Sequence, residues 1–291
     1  MECNGIKMTS VAMLATLFFF ILSKYKTMIE TWKNTEHLGD CLEVMEGIPD
    51  KSIDFICTDL PYGTTQCKWD VIIPFDLLWK EYNRIIKDNG AVALFGAEPF
   101  SSALRMSNIS NYKYDWVWDK VQPSNFLNAK KQPLRQHEII SLFYKIQCIY
   151  NRQFTDRPLK DQRPNAKRNK KNQKNQNGQE HTGFHVMGYS DNYDYTKVNP
   201  KSILTFSRQP KRVKLLHPTQ KPVALIEYLI RTYSNENEIV LDSTAGSFTL
   251  AEACINTNRN YIVIEKDPEE FKKGSNRIKK HKQKLAGMLR F

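Results

Sequence analysis

No stretch of this chain is long and apolar enough to read as a membrane span. The longest apolar run, Val11 to Leu22 (VAMLATLFFFIL), has 12 residues, against the ~20 that a helix needs to cross a bilayer. Lys7 precedes the run, but Ser23-Lys24-Tyr25-Lys26 after it lacks the small residues of a signal-peptide cleavage site. Export is therefore not expected. We read residues 1–27 as an extension ahead of a functional start at Met28, with weak membrane association of the run as the competing reading. The six cysteines include no Cys-x-x-Cys pair, which removes the usual zinc spacings and leaves a reducing compartment as the simplest setting. No metal site is expected.

What is present begins with the run SIDFICTD (Ser52 to Asp59), bounded by Lys51 and by Pro61-Tyr62-Gly63. Apolar and β-branched residues closed by a turn signal read as a buried strand. Asp59-Leu60-Pro61-Tyr62 then falls at its carboxyl end, where open α/β sheets bind ligands. These four residues suit the holding of a planar ring that carries an amine. An exocyclic base amine is a poor nucleophile, because its lone pair is delocalised into the ring. The Asp59 carboxylate and the Leu60 carbonyl can both accept its N–H groups, drawing the nitrogen towards tetrahedral geometry and aiming its lone pair at an electrophile. Pro61 stiffens the turn, and Tyr62 offers a flat face for a base taken out of its stack. Taken alone, the same residues also describe a plain strand-to-loop junction with a turn Asp and a packing Tyr.

A second segment, NEIVLDSTAGSFTLAEACINTNRNYIVIEKDPEEF, reads as strand (Ile239 to Asp242), tight turn, helix (Ser247 to Ile255), strand (Tyr261 to Glu265) and helix, a βαβ unit. Its turn, DSTAGSF, has one glycine, Gly246, where a dinucleotide loop has three. A cofactor with a pyrophosphate is thereby disfavoured, and a nucleoside without phosphates remains. Glu265 ends the following strand 19 residues after Gly246, a position from which an acid can hold both ribose hydroxyls.

Net charge is +12, unevenly placed. Residues 151–175 hold nine Lys and Arg against Asp156 and Asp161, and residues 272–291 hold eight with no acid. A near-neutral body with two basic extensions is the electrostatic footprint of a polyanion binder, while each run by itself also reads as a solvated face. From about Asn151 to Val198 the α/β rhythm breaks around the polar RPNAKRNKKNQKNQNGQEH. Within it Lys167, Arg168, Lys170 and Lys171 can neutralise phosphates or serve as a nuclear address.

Taken together, these motifs resemble the amino-group DNA methyltransferases that use S-adenosylmethionine, in the permuted order called the β class, from about His37 to Ile278. TDLPYG (Thr58 to Gly63) is similar to the family's Asp-Pro-Pro-Tyr catalytic motif, LDSTAGSFT (Leu241 to Thr249) to its cofactor loop, and IEKD (Ile264 to Asp267) to its acidic strand end. HPTQKPVALIEYLI (His217 to Ile230) resembles the helix before that loop, and HLGDCLEVM (His37 to Met45) the segment that meets the cofactor's adenine. WDKVQPSNFLNAKKQPLRQHEIISLFYK (Trp118 to Lys145) resembles the strand pair beside the target base.

The resemblance implies an α/β fold: a Rossmann-like mixed sheet with helices on both faces, circularly permuted, with a target-recognition insertion. It divides the chain into a catalytic half at 35–145, the insertion at 146–210, a cofactor half at 211–283 and a basic tail at 284–291. It implies Asp59, Leu60, Pro61 and Tyr62 as catalytic. For the cofactor it implies Asp40, Cys41, His217, Thr219 and Lys221, then Asp242, Ser243, Thr244, Ala245, Gly246, Ser247 and Phe248, and finally Glu265, Lys266 and Asp267. Asn128, Arg135 and His137 are expected around the base, and Lys167, Arg168, Lys170 and Lys171 on the DNA.

Leu60 stands where many members carry Pro, which costs rigidity but keeps the carbonyl. Phe248 stands where many carry Gly, and its ring is expected near the methionine end of the cofactor. Asp at the head of the catalytic motif favours adenine N6 over cytosine N4. The expected reaction is direct methyl transfer to a flipped base. A cytosine-N4 enzyme and an inactive DNA-binding module on the same fold stay open. Expected partners are double-stranded DNA, S-adenosylmethionine and a cognate restriction endonuclease, with the protein a monomer or homodimer. The expected setting is the cytoplasm, with the nucleoid, in a prokaryote or phage, or the nucleus in a eukaryote.

Overall fold

The computed structural model describes residues 10–63, 70–158, 196–208 and 220–288. Its described strands are β1 (Thr35–Leu38), β2 (Ile53–Thr58), β3 (Ile86–Gly96), β4 (Tyr112–Ser124), β5 (Arg135–Phe143), β6 (Thr155–Asp156), β7 (Lys197–Val198), β8 (Ile203–Thr205), β9 (Ile239–Asp242) and β10 (Asn260–Glu265). Eight of them form one mixed sheet in the order β1-β10-β9-β2-β3-β5-β4-β8. Neighbours are parallel except where β5 meets β3 and β4.

β2 and β9 lie side by side at the centre, and the winding reverses between them. The chain leaves β2 for β3 on one side and leaves β9 for β10 on the other. Such a switch point opens a crevice at the carboxyl ends of its two strands. Both sequence motifs with chemical content end there.

Alternate residues of the central strands feed two cores, as the period of two demands. Phe55, Cys57, Phe95, Val240 and Val263 join residues of α5 (Val223–Tyr233), α6 (Thr249–Asn256) and α7 (Pro268–Met288). Ile56, Leu94, Leu241, Ile262 and Ile264 join residues of α2 (Cys41–Glu46), α3 (Phe75–Ile85) and α4 (Phe100–Ser107). Cover on both faces is why these strands read as continuous apolar runs in the sequence.

At the amino end α1 (Ser10–Glu30) runs through the boundary expected at Met28. Leu17 and Phe18 are exposed on it, whereas Ile29 and Trp32 pack against the core. The Tyr25 hydroxyl donates to the Asp50 carbonyl. No described helix is long and apolar enough to cross a membrane. At the other end, residues 284–288 of the expected tail are the last turns of α7.

Residues Arg152–Lys201 form a second unit, inside the limits expected for the insertion. It contains the antiparallel ribbon of β6 and β7, with Lys197 paired to Asp156. Lys167, Arg168, Lys170 and Lys171 lie outside the described residues, as do His217 and Thr219.

Candidate active site

The ends of β2 and β9 are fastened to each other. The Thr58 hydroxyl donates to Asp242 Oδ1 at 3.0 Å and accepts the Ser243 amide at 3.0 Å. The Thr244 hydroxyl donates to the Asp59 carbonyl at 2.9 Å. From α3, the Tyr82 hydroxyl meets Ser243 Oγ at 2.6 Å. The turn carrying Asp59 and the loop after β9 therefore share one frame.

Asp59 has both carboxylate oxygens engaged. Tyr62 donates its hydroxyl to Oδ1 at 2.5 Å, and Lys221 donates from Nζ to Oδ2 at 2.6 Å. The Tyr62 ring stacks on Phe100, with centroids 5.0 Å apart and planes 30° apart. Burial, then the Asp59 charge, hold the Tyr62 phenol well above its ordinary range, so it stays a donor. Gly63, at φ +66°, closes the turn by donating its amide to Asp70 at 2.8 Å.

Lys221 is nine-tenths buried and touches a second acid, with Nζ 3.1 Å from Glu138 Oε2. That contact is an ion pair, and among the described residues Glu138 Oε2 accepts no hydrogen bond. Glu138 Oε1 meets Lys120 Nζ at 3.4 Å. Acid and base thus alternate, Asp59 to Lys221 to Glu138 to Lys120. The Lys221 ammonium also lies over the rings of Phe95 (5.1 Å) and Trp118 (5.9 Å).

The chain of charges sets the ionisation of its members. Burial raises the Asp59 carboxyl above its usual range, and Lys221 opposes that rise. Burial also acts on Glu138, but the two lysines outweigh it and hold this acid low. For Lys221, burial is outweighed by Asp59 and Glu138, which keep it charged. Lys120 is pulled down by burial.

On the β10 side, Glu265 gathers three turns. Its Oε2 accepts the Gly246 amide at 2.7 Å, its Oε1 the Asp267 amide at 2.8 Å, and its carbonyl the Gly39 amide at 3.0 Å. Asp40 caps α2 by accepting the Leu42 amide at 2.9 Å. Lys266 bonds Asp40 Oδ2 at 2.9 Å and holds that carboxyl low. Asp267 caps α7 through the amides of Glu269 and Glu270, at 2.8 and 3.1 Å. Burial pushes the Asp242 carboxyl up to about 7 and the Cys41 thiol up to about 12.

Among these groups lies a cavity of about 750 Å³. Asp40, Cys41, Asp59, Leu60, Pro61, Tyr62, Lys221, the loop from Asp242 to Ser247, Glu265, Lys266, Asp267 and Arg135 line it. Gly246 has φ +50° and no described atom within 4 Å of where a Cβ would stand, so the loop can let a ligand approach its backbone. The nearby charges are mostly carboxylates, which suit hydroxyls and cationic groups and repel phosphates. The site therefore fits a nucleoside with a cationic tail.

Several expectations need correction. Phe248 is fully buried and does not line the cavity. Its backbone is left-handed, φ +57°, and its ring lies against Gly274 and edge-on to Phe271 at 5.6 Å. It fills the space beneath α7, away from the cavity. It also delays the start of α6 to Thr249, two residues after the expected Ser247.

Asn128 bonds Asn125 in a short 3-10 turn and does not line the cavity either. His137 is exposed on β5, opposite Asp119. Its neighbour Glu138, opposite Trp118, faces the cavity in its place, because successive strand residues point to opposite sides. Lys221, expected with the cofactor, is bonded to Asp59. Glu138, Lys120 and Thr58 were not singled out in the sequence. The alternation Trp118, Lys120 on β4 was the available signal for the inward face of that hairpin.

A Rossmann-like sheet with such a cavity at its switch point defines a class of nucleoside-binding α/β proteins. Residues 53–276 match the DNA methylase family of the N6 and N4 type, and the chain belongs to that family. It is 28% identical over 262 residues to the DNA adenine methyltransferase YhdJ of Escherichia coli, covering 82% of this chain and 81% of that protein. It is 28% identical over 259 residues to the type II methyltransferase M1.MboII of Moraxella bovis, covering 81% of this chain and 93% of that protein. The fold is shared with the crystal structure of an M1.HpyAVI–SAM complex, at TM-score 0.55 and 23% identity, over 84% of this chain and 98% of that one.

Proposed function

We propose that this protein transfers a methyl group from S-adenosylmethionine to the N6 amine of adenine at a specific sequence in double-stranded DNA. The observation that carries the reading is the Asp59-Leu60-Pro61-Tyr62 turn facing the Gly246 loop and Glu265 across one cavity. Membership of the DNA methylase family and the name of the E. coli relative support DNA and adenine. The type II name of the Moraxella relative supports a role beside a cognate restriction endonuclease in a bacterial cytoplasm.

The cofactor, when bound, supplies a methyl group on a sulfonium that is already a good leaving group. Asp40, Cys41, Asp242 to Ser247, Glu265, Lys266 and Asp267 hold it. Base flipping delivers the adenine, at a cost of a few kcal/mol. Asp59 and the Leu60 carbonyl accept the amine's two N–H bonds, and Tyr62, backed by Phe100, presents a face to the ring. Arg135 lines the base side of the cavity. Lys167, Arg168, Lys170 and Lys171 contribute phosphate contacts, which carry affinity without sequence information. Holding the reacting atoms in line supplies much of the rate.

The test is transfer of labelled methyl to mixed-sequence duplex DNA, with the product nucleoside identified by mass spectrometry. N6-methyladenine is expected. Asp59→Ala should lower it by at least about a hundredfold with cofactor binding retained. N4-methylcytosine as the product would overturn the base assignment. An active Asp59→Ala variant would overturn the role of the acid.

A further inference from the structure

We propose that Glu138 is a positioning residue that receives Lys221 when the target amine arrives, so that the lysine is a latch on Asp59 which the incoming base opens. The inference rests on the functional reading above and concerns how the same site admits its substrate.

The difficulty it resolves is competition for Asp59. The amine needs an acceptor on Asp59, yet Tyr62 holds Oδ1 at 2.5 Å and Lys221 holds Oδ2 at 2.6 Å. Lone pairs remain on both oxygens, but an ammonium bonded to one of them makes Asp59 a weaker acceptor for a neutral N–H, so the amine and Lys221 compete for it. Lys221 already has a second carboxylate at 3.1 Å. That oxygen, Glu138 Oε2, is buried and accepts no hydrogen bond among the described residues, so its ion pair with the lysine becomes a hydrogen bond when the lysine turns towards it. The charge stays paired throughout the move, and a buried ammonium stripped of any acid would be strongly destabilising. Phe95 and Trp118 line the ammonium's present position and add a favourable surface of their own.

The surroundings favour this exchange. Lys120 from β4 sits on the other oxygen of Glu138 and keeps that acid ionised. Around Asp59 the charged and titratable groups are Lys221 from just before α5, Tyr62 from its own turn with Asp70 beyond it, Glu138 from β5, Asp242 from β9 and Cys57 from β2. Lys221 is the one cation that bonds Asp59 directly among the described residues. Before the base arrives its charge opposes the rise that burial imposes on the Asp59 carboxyl. Afterwards the neutral N–H donors of the amine replace it.

The test uses the full chain with labelled S-adenosylmethionine and mixed-sequence duplex DNA. Three variants are compared: Glu138→Gln, Lys221→Met and the two combined. Glu138→Gln should keep cofactor affinity within about twofold and lower kcat at least about tenfold, because Lys221 then has no acid to move to. Adding Lys221→Met should restore part of that loss above neutrality, since nothing then competes for Asp59. Lys221→Met alone should move the acid limb of the kcat profile to higher pH, because the ammonium no longer favours ionised Asp59.

Wild-type kcat in Glu138→Gln, or a combined variant no faster than Glu138→Gln, overturns the latch. Should Glu138→Gln not fold, the Lys221→Met profile decides, and an unmoved acid limb overturns it. A wild-type protein that methylates no DNA would instead overturn the functional reading.

Discussion

Thr58 and Asp242, 184 residues apart in the chain, share a hydrogen bond of 3.0 Å that fastens the strand before the Asp59 turn to the strand before the Gly246 loop. The same hydroxyl accepts the Ser243 amide. Replacing it with a methyl leaves a buried amide without its acceptor and the carboxylate with one donor fewer. Thr58→Val should therefore cost about 1–3 kcal/mol, read as a lower urea midpoint with unchanged slope. A midpoint equal to wild type would show that the bond adds nothing.

Asp242 itself makes stability depend on pH. Its folded carboxyl is pushed up to about 7 by burial, against about 3.9 for an Asp in an unfolded chain. Between those values the folded protein holds a proton that the unfolded chain has released. The contribution is full below the lower value, falls as pH rises, and is lost by the upper one. Asp242→Asn keeps an acceptor for Thr58 and Thr244 and cannot ionise. Without ligand, its melting temperature should match wild type at low pH and exceed it increasingly as pH rises through the interval. A gap that is constant with pH would rule out the titration.

Phe248 and Gly274 are matched in shape. A Cβ on Gly274 would come within 2.5 Å of the Phe248 ring. Alanine ordinarily favours a helix interior over glycine by about 1 kcal/mol, but overpacking a filled core costs about 1–3 kcal/mol. Gly274→Ala should lower the melting temperature, and adding Phe248→Gly should recover part of the loss. A Gly274→Ala variant more stable than wild type would contradict the packing.

Glu265 shapes the Gly246 side of the cavity through both of its oxygens, which hold the amides of Gly246 and Asp267. Glu265→Ala should weaken S-adenosylmethionine binding by at least about tenfold, and Glu265→Gln, which keeps one acceptor, by less. Calorimetry giving wild-type affinity for the alanine variant would remove the residue from the cofactor site.

Much of this site could be read along the chain. β2, β9 and β10 announce themselves as apolar runs ended by turn residues, and Asp59 and Glu265 fall at their carboxyl ends because such runs stop where the sheet does. Phe248 misled for a local reason. A residue in a tight loop can point into the ligand space or beneath the next helix, and that choice depends on the small Gly274, 26 positions later.

Composition and motif alone determined the central strands, the Asp59 turn, the single-glycine loop and the family they resemble, because each is a pattern of neighbours within a few residues. Only the tertiary structure decided that Glu138 and not His137 faces the cavity, since successive strand residues face opposite sides and a register slip of one residue would exchange them. It alone decided that Lys221 bonds an acid 162 residues away. Partners of that kind are chosen by the order in which strands assemble, and burial of the charges then leaves each no alternative but the others.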